Sequence, residues 1–241
     1  MGRIVNDVES VVKIEKFPDQ TRQANALADR VSRLLDRAVS QTGKATLVVS
    51  GGSTPVLFFE ALSTRDISWN KVTVTLADER WLPPDHEASN EALVKRHLLK
   101  NKAAKACFVG LYTGSDSAEE GQAQCHKQVK EIGLPFDVLI LGMGTDGHCA
   151  SLFPGANGLK EAVELESKRF CVAIKPVSAL HDRITLTLSS ILSSREIFLL
   201  VTGKKKFHVL QKALAPGPLH EMPVRYVLHL SHRPVSVFWA P

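Results

Sequence analysis

Four short segments bring together residue types that do chemistry. Gly142-Met143-Gly144-Thr145-Asp146-Gly147-His148 follows an apolar run, Asp137–Leu141. His148 has the side chain whose ordinary pKa lies nearest neutral pH, so it can take up and return a proton; Asp146 beside it can fix its tautomer. Ser50-Gly51-Gly52-Ser53-Thr54 follows another β-rich run and precedes Pro55, a residue suited to opening a helix. Backbone amides and the hydroxyls of Ser53 and Thr54 can cradle a phosphate there, with Gly51 and Gly52 allowing close approach. A plain tight turn uses the same residue types, so this loop alone leaves both readings open. Asp78-Glu79-Arg80 suits either a surface ion network or the orientation of a polar substrate. Lys204-Lys205-Lys206 opens a helix, where cations oppose the helix dipole; a bound anion or a solvated basic face accounts for them. Arg183, just before a predicted strand, is a further anion partner.

Other readings of these residues fail on context. The run from Gly142 to Gly147 matches G-x-G-x-x-G, but Pro154 and Gly155 follow where the dinucleotide fingerprint needs a helix. The next predicted strand ends in Lys175 rather than an acid, so a nicotinamide cofactor is rejected. Cys107, Cys125, Cys149 and Cys171 show no paired spacing; they read as reduced thiols rather than a metal site. Of the nine histidines, only His148 combines a predicted strand end with an adjacent acid. His86, His97, His126, His208, His220, His229 and His232 read as surface or satisfied core residues, and His181 stays open.

The intervening elements place these segments. Apolar residues at helical spacing predict a helix over 20–40, stopped by Gly43. Predicted strands at Ala45–Val49, Lys71–Leu76, Asp137–Leu141, Phe170–Ile174, Ile184–Leu188, Ile197–Val201 and Val235–Trp239 alternate with predicted helices after Pro55, Ser89, about 116 and Thr202-Gly203. That rhythm predicts a single α/β domain over 1–241: a mainly parallel, Rossmann-like sheet with helices on both faces. Ligands of such sheets bind beyond the strands' carboxyl ends, where the polar clusters stand.

Composition bounds the partners. The 241 residues are 44% hydrophobic and 6% aromatic, with a formal net charge of +5. The core can be substantial, and so weak a basic surplus, lacking clustered aromatics, argues against nucleic acid. No apolar run is long enough to cross a bilayer. The amino-terminal residues lack a signal-peptide pattern, and Asn6 spoils the myristoylation reading of Met1-Gly2. A cytoplasmic protein is expected, with no membrane partner; a monomer and a homodimer are equally open.

SGGSTP, DERWLP followed by Ser89-Asn90, GMGTDGHCASLFPG, DRITLTL and VTGKKK occur in this order. Together they resemble the glucosamine-6-phosphate isomerase/6-phosphogluconolactonase family, on its lactonase side, from roughly residue 20 to the end. The deaminases of that family carry Asn-Glu-Pro after the histidine block, whereas Leu152-Phe153-Pro154 stands here. The resemblance implies hydrolysis of 6-phospho-D-glucono-1,5-lactone to 6-phosphogluconate in the oxidative pentose phosphate pathway, with no metal or organic cofactor. It further implies His148, Asp146, Asp78 and Arg80 as catalytic, and Gly51, Gly52, Ser53, Thr54, Arg183 and Lys204 as phosphate-binding.

Overall fold

The computed structural model describes residues 12–177 and 179–241. The readings made on Met1-Gly2 and Asn6 lie outside them. Among the described residues, ten strands run in chain order: β1 (Val12–Lys16), β2 (Ala45–Val49), β3 (Val72–Leu76), β4 (Asp78–Arg80), β5 (Cys107–Val109), β6 (Val138–Leu141), β7 (Cys171–Ile174), β8 (Arg183–Leu186), β9 (Glu196–Thr202) and β10 (Val235–Ala240). The α-helices are α1 (Gln20–Thr42), α2 (Val56–Ser63), α3 (Asn90–His97), α4 (Ala118–Ile132), α5 (Leu159–Ala162), α6 (Leu188–Leu192), α7 (Lys204–Leu214) and α8 (Val224–Leu230).

Seven strands form a wholly parallel sheet in the order β1-β10-β9-β6-β2-β3-β5. All residues of β2 and β6 are buried, as continuous apolar runs covered on both faces must be. The predicted first helix forms as α1 and ends at Gly43. Asp19 caps it, accepting from the Arg22 amide at 2.7 Å. Its buried face carries Ala24, Leu27, Ala28, Val31, Leu35 and Ala38. Gln23, buried with them, donates through Nε2 to the carbonyls of Val201 and Phe238 at 2.8 and 2.7 Å, tying the helix to β9 and β10. Its amide is thereby satisfied within the core.

The strand order fixes where a ligand can bind. From β2 the chain proceeds outward through β3 to β5, then returns to β6 on the other side of β2 and proceeds to β9 and β10. The direction reverses between β2 and β6, and the crevice beyond that switch point is where open α/β sheets hold ligands. The loops leaving these two strands are SGGST and GMGTDGH.

The second sheet departs from the simple rhythm. Asp78-Glu79-Arg80, expected as a loop at a strand end, forms β4 and pairs antiparallel with β8, which pairs antiparallel with β7. The predicted strand Ile184–Leu188 starts one residue earlier, at Arg183, and stops at Leu186 because Thr187 caps α6. The register sets Arg80 directly opposite Arg183.

Candidate active site

An open cleft of about 480 Å³ lies over the switch point, a volume suited to a small ligand. Residues 50–54 form one wall and residues 142–146 with His148 and Ala150 another; β4, β8 and α7 complete it. It brings together Gly51, Gly52, Ser53, Thr54, Asp78, Arg80, Asp146, His148 and Arg183 from the sequence-predicted set. Lys204 is the exception. It is exposed at the start of α7, while Lys206 lines the cleft and places Nζ 3.4 Å from Thr54 Oγ1. Two residues along a helix is a rotation of about 200°, so only one of these lysines can face the cleft. Replacing Lys206 by alanine should raise KM about tenfold with kcat little changed, as loss of one charge-assisted contact implies. Lys204→Ala should leave steady-state kinetics unaltered.

His148 is held from several sides. Its Nδ1 lies 2.6 Å from Asp146 Oδ1, which also accepts from the His148 backbone N–H at 3.1 Å. The Gly144 N–H donates to the His148 carbonyl at 2.9 Å, and the Val224 N–H to the Gly147 carbonyl at 2.8 Å. A Cβ on Gly144 would come within 2.2 Å of the imidazole and 2.5 Å of Asp146 Oδ1, so this close approach requires glycine. Burial works to raise the Asp146 carboxyl, but the hydrogen bond and charge of His148 outweigh it and hold it below its usual range. An ionised Asp146 accepts the Nδ1 proton and leaves Nε2 as the basic nitrogen. Nε2 makes no hydrogen bond to any described residue. Phe153 packs its ring 4.2 Å from the imidazole and has the Arg183 guanidinium 5.6 Å from its centre.

The cations explain what the cleft attracts. Arg80, Arg183 and Lys206 make no ion pair among the described residues, although Arg183 is only 9% exposed. Arg80 and Arg183 face each other across the β4–β8 pair, an arrangement that is unfavourable between like charges. Burial lowers the Arg183 and Lys206 pKa values; Arg80 lowers Arg183 further, against Asp78 and Glu79. A bound anion relieves all three cations at once.

Asp78 and Glu79 divide the work of β4 between its two faces. Asp78 lines the cleft, and its Oδ2 accepts from Ser151 Oγ at 2.5 Å. Glu79 is wholly buried, and desolvation pushes its carboxyl up from 4.5 to about 7 against the pull of four hydrogen bonds. A folded-state value above the unfolded one favours the protonated form, so this contribution is complete below about pH 4.5 and lost as pH rises through 7. Wild-type Tm should therefore fall by several degrees relative to Glu79→Gln between pH 5 and 8. Parallel thermal scans of both proteins across that range check it.

Sequence reasoning did not assign Asn90, Ser151, Phe153 or Lys206 to the site, although each stood inside a quoted motif. Three other histidines have ordinary partners: His97 with Glu60, His126 with the Phe170 N–H and His229 with the Ala213 carbonyl. His181 contributes its carbonyl to Arg183 Nε at 3.3 Å. All four cysteines are free. No group of three His, Cys, Asp or Glu residues is placed to hold a metal among the described residues, and no described helix is long and apolar enough to cross a membrane.

The parallel sheet and its switch-point cleft define a doubly wound α/β protein whose site joins a histidine–aspartate pair to unpaired cations. Residues 18–239 match the family model of glucosamine-6-phosphate isomerases/6-phosphogluconolactonase, and the chain belongs to that family. A 6-phosphogluconolactonase of Rhizobium meliloti is 43% identical over 225 residues, covering 93% of this chain and 97% of its own. One of Pseudomonas putida is 41% identical over 242 residues, covering 100% of this chain and 98% of its own. The crystal structure of a 6-phosphogluconolactonase from Shewanella baltica matches with TM-score 0.94 at 41% identity, over 99% of this chain and 100% of the other.

Proposed function

We propose that this chain hydrolyses 6-phospho-D-glucono-1,5-lactone to 6-phospho-D-gluconate, acting as a single catalytic unit over residues 1–241 in the cytoplasm. The observation that carries this reading is the placement of the His148–Asp146 pair and three unpaired cations around one cleft. Gly51, Gly52, Ser53 and Thr54, with Lys206 and Arg183, hold the 6-phosphate. That anchoring orients the lactone ring toward His148.

A lactone is a cyclic ester, so the reaction is acyl transfer to water. His148 Nε2 takes a proton as the water oxygen bonds to C1. The C1 carbonyl becomes an oxyanion, and Arg80 stabilises that charge. Collapse of the intermediate breaks the bond from C1 to the ring oxygen. His148 returns its proton to that oxygen, leaving a hydroxyl at C5 and a carboxyl at C1. Asp146 fixes the imidazole tautomer and stabilises the imidazolium between the two steps. Asp78, held by Ser151, positions the sugar.

A coupled assay with freshly prepared lactone, with spontaneous hydrolysis subtracted, tests the reading. Turnover well above background is expected. Background-level turnover combined with ammonia release from glucosamine 6-phosphate would replace this reading by a deaminase.

A further inference from the structure

Glu79 stands between two cleft residues yet faces away from the cleft. The two-residue alternation of β4 sends Asp78 and Arg80 to one side and Glu79 to the other, where it is 0% exposed. Its carboxylate takes four hydrogen bonds. Oε1 accepts from the backbone N–H groups of Arg80 and Asn90, both at 2.7 Å. Oε2 accepts from Ser89 Oγ at 3.0 Å and the Glu91 N–H at 2.8 Å. Three of these donors belong to the start of α3, where a negative charge is also favoured by the helix dipole.

The segment held in this way reaches back into the site. The Ala88 carbonyl accepts from Arg80 Nη1 at 2.5 Å. Asn90 donates through Nδ2 to the Asp78 carbonyl at 2.8 Å, and its amide packs on Gly51 so closely that a Cβ there would lie 1.8 Å from Oδ1. Residues 88–91 thus touch Asp78, Arg80 and the glycine loop at once. Arg80 Nε and Asn90 Oδ1 are buried with no hydrogen-bond partner among the described residues. Buried polar atoms normally find partners, so two orphans on the residues that Glu79 holds indicate a placement imposed against local preference.

We propose that Glu79 is a positioning residue of this active site, its carboxylate clamping residues 88–91 so that Arg80 and Asn90 stand correctly against the lactone and the glycine loop. The proposal rests on the lactonase reading above. The clamp needs an ionised carboxylate, since only that group offers acceptors to all four donors. Glutamine in its place has the same shape but turns an NH₂ group toward donors.

The test compares Glu79→Gln, Asn90→Ala and the double variant at pH 8, well below their Tm values. Glu79→Gln is expected to lower kcat about tenfold while 6-phosphogluconate binds within about twofold of wild type. In the Asn90→Ala background the same substitution should cost at least threefold less, because part of its route is already gone. Equal losses in both backgrounds, or full kcat with only a lowered Tm, would overturn the proposal. Should Glu79→Gln not fold, Ser89→Ala removes one donor and is read in the same cycle. An arm independent of turnover is the backbone amide resonance of Gly51, which Glu79 does not touch. It should move in Glu79→Gln, and a stationary Gly51 signal would contradict the route through Asn90. A protein without lactonase turnover would defeat the functional reading while leaving the Gly51 measurement decisive for the clamp.

Discussion

Replacing His148 by alanine is expected to lower kcat by about 10²–10⁴-fold, the usual value of a positioned general base. The loss should appear in kcat, because the imidazole is asked to act on water and on the departing ring oxygen rather than to hold the phosphate. KM and the affinity for 6-phosphogluconate should remain near wild type, since Gly51–Thr54, Lys206 and Arg183 stay in place. Asp146 leaves Nε2 as the basic nitrogen. Initial-rate measurements with rapid mixing, corrected for spontaneous hydrolysis, separate these quantities. A variant retaining full kcat would remove His148 from the chemistry.

Arg183→Met should produce the second large effect, with the loss concentrated in KM. The substitution keeps the apolar stem that packs at the Phe153 ring and removes the guanidinium. A charged hydrogen bond contributes about 1.5–3 kcal/mol, and two to one phosphate imply a fall in kcat/KM of roughly 10²–10⁴-fold. Stability should move the other way. Arg183 is buried and makes no ion pair among the described residues, so removing its charge removes a desolvation cost in the unliganded protein. A Tm equal to or above wild type, together with the kinetic loss, is the expected signature. A lowered Tm with unchanged kcat/KM would make Arg183 a structural residue instead.

Much of this site was legible because its loops leave central strands. The apolar runs Ala45–Val49 and Asp137–Leu141 end abruptly in glycines and polar residues, and a parallel sheet places such ends together. The brevity of β4 hid it. Three residues reading Asp-Glu-Arg have no strand signature, and their extended form comes from pairing with β8, distant in sequence. Three consecutive lysines do not reveal which side of a helix packs, so the sequence does not distinguish Lys206, which lines the cleft, from Lys204. The position that faces inward depends on where Thr54 sits. Glu79 was read only as part of a charged cluster, since a carboxylate can be buried wholly when backbone donors from α3 converge on it. The positions of those donors depend on tertiary packing. Gly43, by contrast, ends α1 where the residue type alone placed the stop.

In the proposed reaction one cleft joins an anion-holding half to a histidine half, and both act on the same molecule. The most direct test compares kcat/KM for 6-phospho-D-glucono-1,5-lactone with that for unphosphorylated D-glucono-1,5-lactone under identical conditions. Removing the phosphate forfeits at least three charged hydrogen bonds, two from Arg183 and one from Lys206, and kcat/KM should fall by at least about 10³-fold. Equal values for the two lactones would contradict the account.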